Sequence, residues 1–129
     1  MSIKKFEDLP IWQKARELSS YVFHLTQDSN FNKDFKFRDQ IRSSSGSVMD
    51  NIGEGFERGG NKEFCQFLYI AKGSCGECRS QSWRALDYKY ITQDEFEKLT
   101  KMCEELSREL FLFIKYIKSS GFKGEKYNK

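Results

Sequence analysis

Proline and histidine are almost missing from this sequence, which has one of each among 129 residues. The lone proline, Pro10, stands at the first turn of a predicted helix, where its missing N–H leaves no hydrogen bond unmade. The lone histidine, His24, lies beside the apolar Leu25 near the end of the same helix. We expect it to be a partly exposed side chain and not a catalytic group.

Long apolar segments are missing as well. No run of about 18 or more apolar residues occurs, which is the length that a membrane-spanning helix needs. The first residues, Met1 to Phe6, lack the apolar core and cleavage pattern of a signal peptide. We therefore predict a cytoplasmic protein with no membrane partner.

A large basic excess is also lacking, because the net charge is only +3. The last fifteen residues contain five lysines and Glu125, a charge of +4, so the remainder of the chain carries −1. This balance does not describe a globally basic nucleic-acid binder, and any such function has to come from local patches.

The four cysteines, Cys65, Cys75, Cys78 and Cys103, lie inside predicted helices and are interpreted as reduced core thiols. Cys75 and Cys78 have the spacing of a redox or metal pair, but no second pair accompanies them and His24 lies on another helix. No nucleophile, base and orienting group come together by spacing. We predict no metal site, no cofactor and no enzymatic activity.

Apolar periodicity predicts four long helices. The central two run from about Phe37 to Leu86 around the turn Gly59-Gly60, and the first of them crosses the small-residue segment Ser43 to Ser47 in one helical phase. A capping box at Thr92 to Glu95 starts the fourth helix. The pattern predicts an all-α, antiparallel up-down-up-down four-helix bundle in one domain, residues 1–120, followed by a mobile basic tail, 121–129. The polar linker 28–34 is expected to be anchored by Phe31.

Basic side chains form small groups on the predicted helix surfaces. Arg38 and Arg42 are one turn apart, Lys72 and Arg79 share one side of the third helix, and Arg58 and Lys62 flank the glycine turn. Repetition of these groups in an oligomer would produce a positive belt suited to phosphates. An ordinary solvated face and a plain turn are the alternatives. The candidate nucleic-acid-binding residues are Arg38, Arg42, Arg58, Lys62, Lys72, Arg79, Lys118, Lys123 and Lys126.

Aromatic residues make up 16% of the chain, and several fall outside the core stripes. Surplus apolar surface is typical of interfaces, and small residues on the third helix would let another helix approach. A wide core stripe is the alternative explanation. The candidate oligomer-interface residues are Trp12, Phe56, Tyr69, Gly73, Gly76 and Trp83. Asn51 and Glu54 are interpreted as structural, through a register-fixing buried hydrogen bond and a pair with Arg58 or a neighbouring helix; a polar interface is the alternative.

Several short motifs carry a resemblance to a known family. They are Phe6-Glu7-Asp8-Leu9 with Trp12-Gln13-Lys14-Ala15, then Gln40-Ile41-Arg42, Asn51-Ile52 with Glu54-Gly55-Phe56, and Lys62-Glu63-Phe64. Together they resemble the four-helix bundle proteins encoded in intervening sequences of bacterial 23S ribosomal RNA genes. Ser43 departs from the family by replacing a second basic residue, and Met49 stands where a proline is common.

The resemblance implies an antiparallel bundle assembled into a ring-like homopentamer that binds RNA or DNA without catalysis. The related accessory variability proteins of diversity-generating retroelements imply binding to nucleic acid and a reverse transcriptase. We therefore expect a non-enzymatic oligomer that binds nucleic acid through basic patches. A structural scaffold with a protein partner and no nucleic-acid binding is the alternative.

Overall fold

Four long helices and one short helix make up most of the computed structural model, which describes residues 3–120. The helices are α1 (Pro10–Leu25), α2 (Ser29–Lys33), α3 (Phe35–Arg58), α4 (Asn61–Asp87) and α5 (Gln93–Ser120), and a 3₁₀ turn at Phe6–Asp8 precedes them. No β-strand occurs in this part of the chain. Within it, no helix combines the length and apolar character that crossing a bilayer requires. The fold class is the predicted all-α bundle, and the predicted tail lies outside the described residues.

Local chemistry explains where the helices begin and end. Pro10 is the first residue of α1, as predicted. Asp34 accepts a hydrogen bond from the Phe37 amide at 3.2 Å and so caps α3, which ends at Gly59 with a φ of 106°, a left-handed conformation that suits glycine. The capping box of α5 forms in both directions, with Thr92 and Glu95 bonded at 2.9 and 3.1 Å.

Of two sequence predictions about local structure, one needs correction and the other is confirmed. The linker 28–34 contains the five-residue helix α2, which the sequence pattern did not predict, and Phe31 within it is buried as expected. Helix α3, in contrast, runs without a break through Ser43 to Ser47, so the helical prediction for that small-residue segment is confirmed.

Consecutive long helices are antiparallel neighbours. Around the bundle, α3 packs against α1 and α4, and α5 packs against α4 and α1. Lys14, early in α1, pairs with Glu109 in the second half of α5, and Tyr21, late in α1, lies under Lys98 near the start of α5. These two contacts show that α1 and α5 are antiparallel. This is the up-down-up-down topology that the short connections predicted.

The core is built from the predicted apolar stripes. Phe56, only 1% exposed, also belongs to it and packs edge-on against Phe64. All four cysteines are free and buried, and the Cys75 thiol donates to the Cys103 carbonyl oxygen at 3.0 Å. Hydrogen bonding with the Cys75 and Cys78 side chains, together with burial, raises the pKa of Cys103 above its usual range.

Helix α4 packs tightly against α3 at Gly55. A Cβ atom added there would lie 2.5 Å from Phe67 Cβ and 3.1 Å from Phe64 Cδ1. No side chain larger than hydrogen fits at this point. The missing side chain of Gly55 is thus what lets α4 pack this tightly on α3.

A polar layer also joins α3 to α4. The buried Ser44 hydroxyl donates to Gln81 Oε1 at 2.5 Å, and Ser74 donates to Ser47 at 3.1 Å. Asn51 donates to the carbonyl and hydroxyl oxygens of Ser47 on its own helix, both at 2.8 Å. The register-fixing buried hydrogen bond predicted for Asn51 is not found among the described residues: Asn51 is partly buried and bonds there within α3, while the Ser47 hydroxyl accepts the bond from Ser74 on α4.

Candidate nucleic-acid interface

The basic residues predicted to bind nucleic acid are spread along the whole bundle of one subunit. Arg38 and Arg42 lie near the start of α3, whereas Arg58 lies at its other end, roughly 30 Å away at 1.5 Å per residue. Lys62 and Lys118 share the latter end. Lys123 and Lys126 lie outside the described residues. One subunit therefore does not gather the candidates into a single patch.

Several of these candidates are paired with carboxylates. Arg58 contacts Glu54 at 2.9 Å and Glu63 at 3.9 Å, so the predicted pair of Glu54 with Arg58 is confirmed. Two more of the candidates are in ion pairs, Arg79 with Glu104 at 3.2 Å and Arg38 with Asp39 at 3.0 Å. Among the described residues, the candidates without an acidic partner are Arg42, Lys62, Lys72 and Lys118.

Two of the acid-free lysines, Lys62 and Lys118, meet at a cleft between the start of α4 and the end of α5. The Lys118 ammonium donates to the Tyr69 hydroxyl at 2.9 Å and lies 4.9 Å from the centre of that ring. The cleft has a volume of about 480 Å³ and a floor of Cys65 and Ile117, both buried. Its remaining lining residues are Asn61 and Gln66.

The electrostatics of this cleft favour an anion. The hydrogen bond to Tyr69 raises the pKa of Lys118, which favours its charged form. Helix α4 begins here with Gly60 as its N-cap, so no side chain caps its first amide groups, and the helix dipole adds positive potential. Asn61 is the first residue of α4. Its Oδ1 atom is buried without a hydrogen-bond partner in the described structure.

The predicted oligomer-interface residues divide between the core and an exposed face of α4. Phe56 belongs to the core and offers no surface, and Trp12 is partly buried against Phe6, with ring centres 5.3 Å apart. Tyr69 and Trp83, by contrast, are 48% and 54% exposed. Between them Gly73 and Gly76 open onto solvent. A Cβ atom at either glycine would meet nothing within 4 Å.

These interface candidates share a surface with some of the basic candidates. Tyr69, Lys72, Gly76, Arg79 and Trp83 follow each other along α4 at steps of three and four, which places all five on one side of the helix, and Gly73, four residues after Tyr69 and three before Gly76, belongs to the same side. We call this side, which borders α5, the α4–α5 face. A second subunit seated there would also cover Lys72 and Arg79. The two predicted roles therefore compete for the same surface.

Arginine side chains at the opposite end of the bundle stack on phenylalanine rings. The Arg42 guanidinium carbon lies 4.5 Å from the centre of the Phe23 ring, and that of Arg38 lies 5.0 Å from Phe35. Phe23 and Phe35 remain 51% and 65% exposed. Sequence reasoning missed Phe35, although its position two residues before the core residue Phe37 places it on the opposite side of α3.

Arg84 is another residue that sequence reasoning missed. Its guanidinium carbon lies 4.3 Å from the centre of the Phe37 ring and 5.8 Å from that of Tyr88, one turn further along the chain. Arg84 and Tyr88 are four residues apart, a spacing that predicts a side-chain contact on a helix.

The structure places the pair Cys75 and Cys78 in the core. Within residues 3–120, no group of three or more histidine, cysteine or acidic side chains is arranged to hold a metal ion. Cys75 and Cys78 point into the core, where both are buried. Core packing, the interpretation that the sequence favoured, agrees with this position.

Comparisons with known proteins agree with the fold. The family profile described as "23S rRNA-intervening sequence protein" matches residues 7–111. A crystal structure of a protein of unknown function from the S23 ribosomal protein family of Bacteroides thetaiotaomicron is similar in fold, with a TM-score of 0.76 and 24% identity. The match covers 81% of this chain and 98% of that one. No curated protein has significant similarity to the chain.

Proposed function

Because the chain belongs to the 23S rRNA-intervening sequence protein family, we propose that it is a non-enzymatic, oligomeric bundle that binds RNA or DNA through basic side chains. The proposal includes a cytoplasmic location and no cofactor. It also includes a ring of identical subunits, which the resemblance implies to be a pentamer. The observation that carries the binding function is the cleft at the start of α4, with its two acid-free lysines.

The α4–α5 face supports self-association. Each of Gly73 and Gly76 costs the helix about 1 kcal/mol relative to alanine, and no contact within the described chain explains the absence of their side chains. Exposed Tyr69 and Trp83 flank these glycines with apolar surface. A helix of a second copy would fill the space over the glycines and cover the Trp83 ring.

The cleft supports phosphate binding after such an assembly forms. Lys62 and Lys118 lie at the end of the α4–α5 face, where a neighbouring copy need not cover them, unlike Lys72 and Arg79 in its middle. In a closed ring each copy contributes its cleft, so single contacts of modest strength add up to a belt. Lysines that neutralise phosphates release counterions, and log affinity then falls by about 0.9 per contact for each log unit of salt.

Fluorescence anisotropy of labelled structured RNA and duplex DNA, titrated from about 50 to 200 mM salt, tests the proposal. Light scattering on the same samples gives the mass of the assembly. We expect binding that weakens steeply with salt, and the variant Lys62→Gln with Lys118→Gln should reduce both the affinity and the salt slope. Lys98→Gln is a matched control, because Lys98 also lies over a tyrosine ring, 4.4 Å from the centre of Tyr21, but far from the cleft.

A confirmed oligomer that binds no nucleic acid at 50 mM salt would refute the binding function. The second candidate, a scaffold for a protein partner, would then be favoured by the groove between α1 and α5, of about 330 Å³. Its lining is mostly apolar and includes the exposed Leu112 and Tyr116. Binding to that groove would be insensitive to salt, because no phosphates are neutralised.

A further inference from the structure

Two arginine–phenylalanine pairs lie where α1 ends and α3 begins. Arg38 and Arg42 are one turn apart on α3, and each guanidinium lies over one ring, Phe35 or Phe23. We call these four residues the arginine–phenylalanine surface. It lies at the opposite end of the bundle from the α4 cleft and is separate from the α4–α5 face.

Hydrogen bonds hold the guanidinium groups in place. Arg42 Nε donates to Thr26 Oγ1 at 2.8 Å, and Arg38 Nη1 donates to the backbone and side-chain oxygens of Asn32 at 3.2 and 2.8 Å. The terminal Nη groups of Arg42 make no hydrogen bond to any residue in the described part of the chain. A planar cation is thus fixed against a ring, with donors left for an oxygen ligand.

The negative charges near this surface are already occupied. Asp34 caps α3 and accepts from the Tyr90 hydroxyl at 2.8 Å, while Asp39 pairs with Arg38. Arg42 has no acidic partner among the described residues. An anion at its Nη groups would therefore complete the arrangement rather than replace an existing pair.

The exposed rings indicate which anionic partner fits. A single exposed phenylalanine is ordinary. Two exposed rings, each with an oriented guanidinium group over it, instead form a surface that is both apolar and cationic. Nucleobases stack on aromatic rings and on guanidinium planes, and the phosphates that follow them are bound by arginine. Bases within a duplex are stacked on each other and cannot reach such rings.

We propose that the arginine–phenylalanine surface binds single-stranded nucleic acid, with bases stacked on Phe23 and Phe35 and a phosphate at the Nη groups of Arg42. The inference rests on the proposed nucleic-acid function and names its substrate class at a second place on the subunit. Stacking reads no particular base, so the binding is tolerant of sequence.

The test compares labelled 12-nucleotide single strands of uridine RNA and thymidine DNA with 12-base-pair duplexes, by anisotropy at fixed low salt. Phe23→Leu with Phe35→Leu keeps apolar side chains but removes the ring faces. We expect this variant to lose about tenfold or more in single-strand affinity and to keep its duplex affinity. Phe23→Tyr with Phe35→Tyr should restore single-strand binding.

Phe111→Leu is the matched control, because Phe111 is as exposed as Phe23 (both 51%) and lies on α5, away from this surface. Arg42→Lys provides a second test, since it keeps the charge and removes the stacked plane; single-strand affinity should fall. A tenfold loss for RNA and DNA strands alike supports stacking, because bases of either strand stack on the ring faces; a loss for RNA alone would overturn it.

The outcomes separate this inference from the function on which it rests. Single-strand affinity that is unchanged in the Phe→Leu variant, or that falls together with duplex affinity, would overturn stacking and leave the proposed function standing. A folded oligomer that binds neither strands nor duplexes would overturn both.

Discussion

Alanine in place of Gly55 is predicted to destabilise the bundle, although alanine is the better helix former. The new Cβ atom would lie 2.5 Å from Phe67 Cβ, whereas ordinary contacts begin at 3.4 Å. Because Phe67 Cβ is fixed to the α4 backbone, the two helices must separate by about 1 Å at this point. Rotation of a flexible side chain cannot relieve the contact.

The magnitude follows from two opposing effects. Overpacking of this kind costs about 1–3 kcal/mol, and neighbouring contacts weaken because a gap of 0.5–1 Å forfeits roughly a quarter to a half of their attraction. Replacing a helical glycine by alanine returns about 1 kcal/mol. We expect Gly55→Ala to lower the free energy of unfolding by about 1–2 kcal/mol.

Urea denaturation followed by circular dichroism measures this change, at one protein concentration because assembly adds stability of its own. Gly46→Ala is the matched control on the same helix. A Cβ atom there would lie 3.9 Å from Ser19 Oγ, so the substitution should be neutral or stabilising by up to about 1 kcal/mol. A Gly55→Ala variant as stable as Gly46→Ala would refute the close packing of α3 on α4.

Three further predictions test other parts of the molecule. Gly73→Ala with Gly76→Ala should stabilise the subunit by roughly 1–2 kcal/mol and lower the mass of the assembly in light scattering; an unchanged mass would remove the α4–α5 face from the interface. Thr92→Ala should cost about 1 kcal/mol in urea denaturation, because the capping box of α5 is lost, whereas an unchanged midpoint would show that the cap contributes nothing. Cys75 and Cys103 should react with a thiol reagent only as fast as the protein unfolds, since both are buried and the Cys103 pKa is raised; rapid labelling in native buffer would contradict this.

The long helices could be predicted from the sequence because each keeps one apolar phase. The phase carried the prediction of α3 across Ser43 to Ser47 despite poor local propensity. Helix α2 could not be predicted, since five residues are too few to show a period. Phe56 was assigned to the oligomer interface because the apolar stripe passes through its neighbour Gly55, and periodicity alone does not show that both residues face inward.

The candidate site could be predicted less well than the fold. Glu54 and Arg58 are four residues apart on one helix, so their pair was readable. Arg79 and Glu104 lie on different helices, and their pair depends on how far α5 is shifted along α4. Periodicity gives the face of each helix but not this shift. For that reason the sequence suggested basic residues without showing which of them are already neutralised.

The join between α3 and α4 restricts how the subunit can move. Gly55 fits only where it lies, against Phe67, and the Ser44–Gln81 bond a few turns away holds the same alignment. A slide of one helix along the other would break both at once, and packed helices shift only by small amounts. We therefore expect α3 and α4 to move as one rigid unit. A rearrangement of the subunit would then come from movement of α1 and α5 relative to this pair.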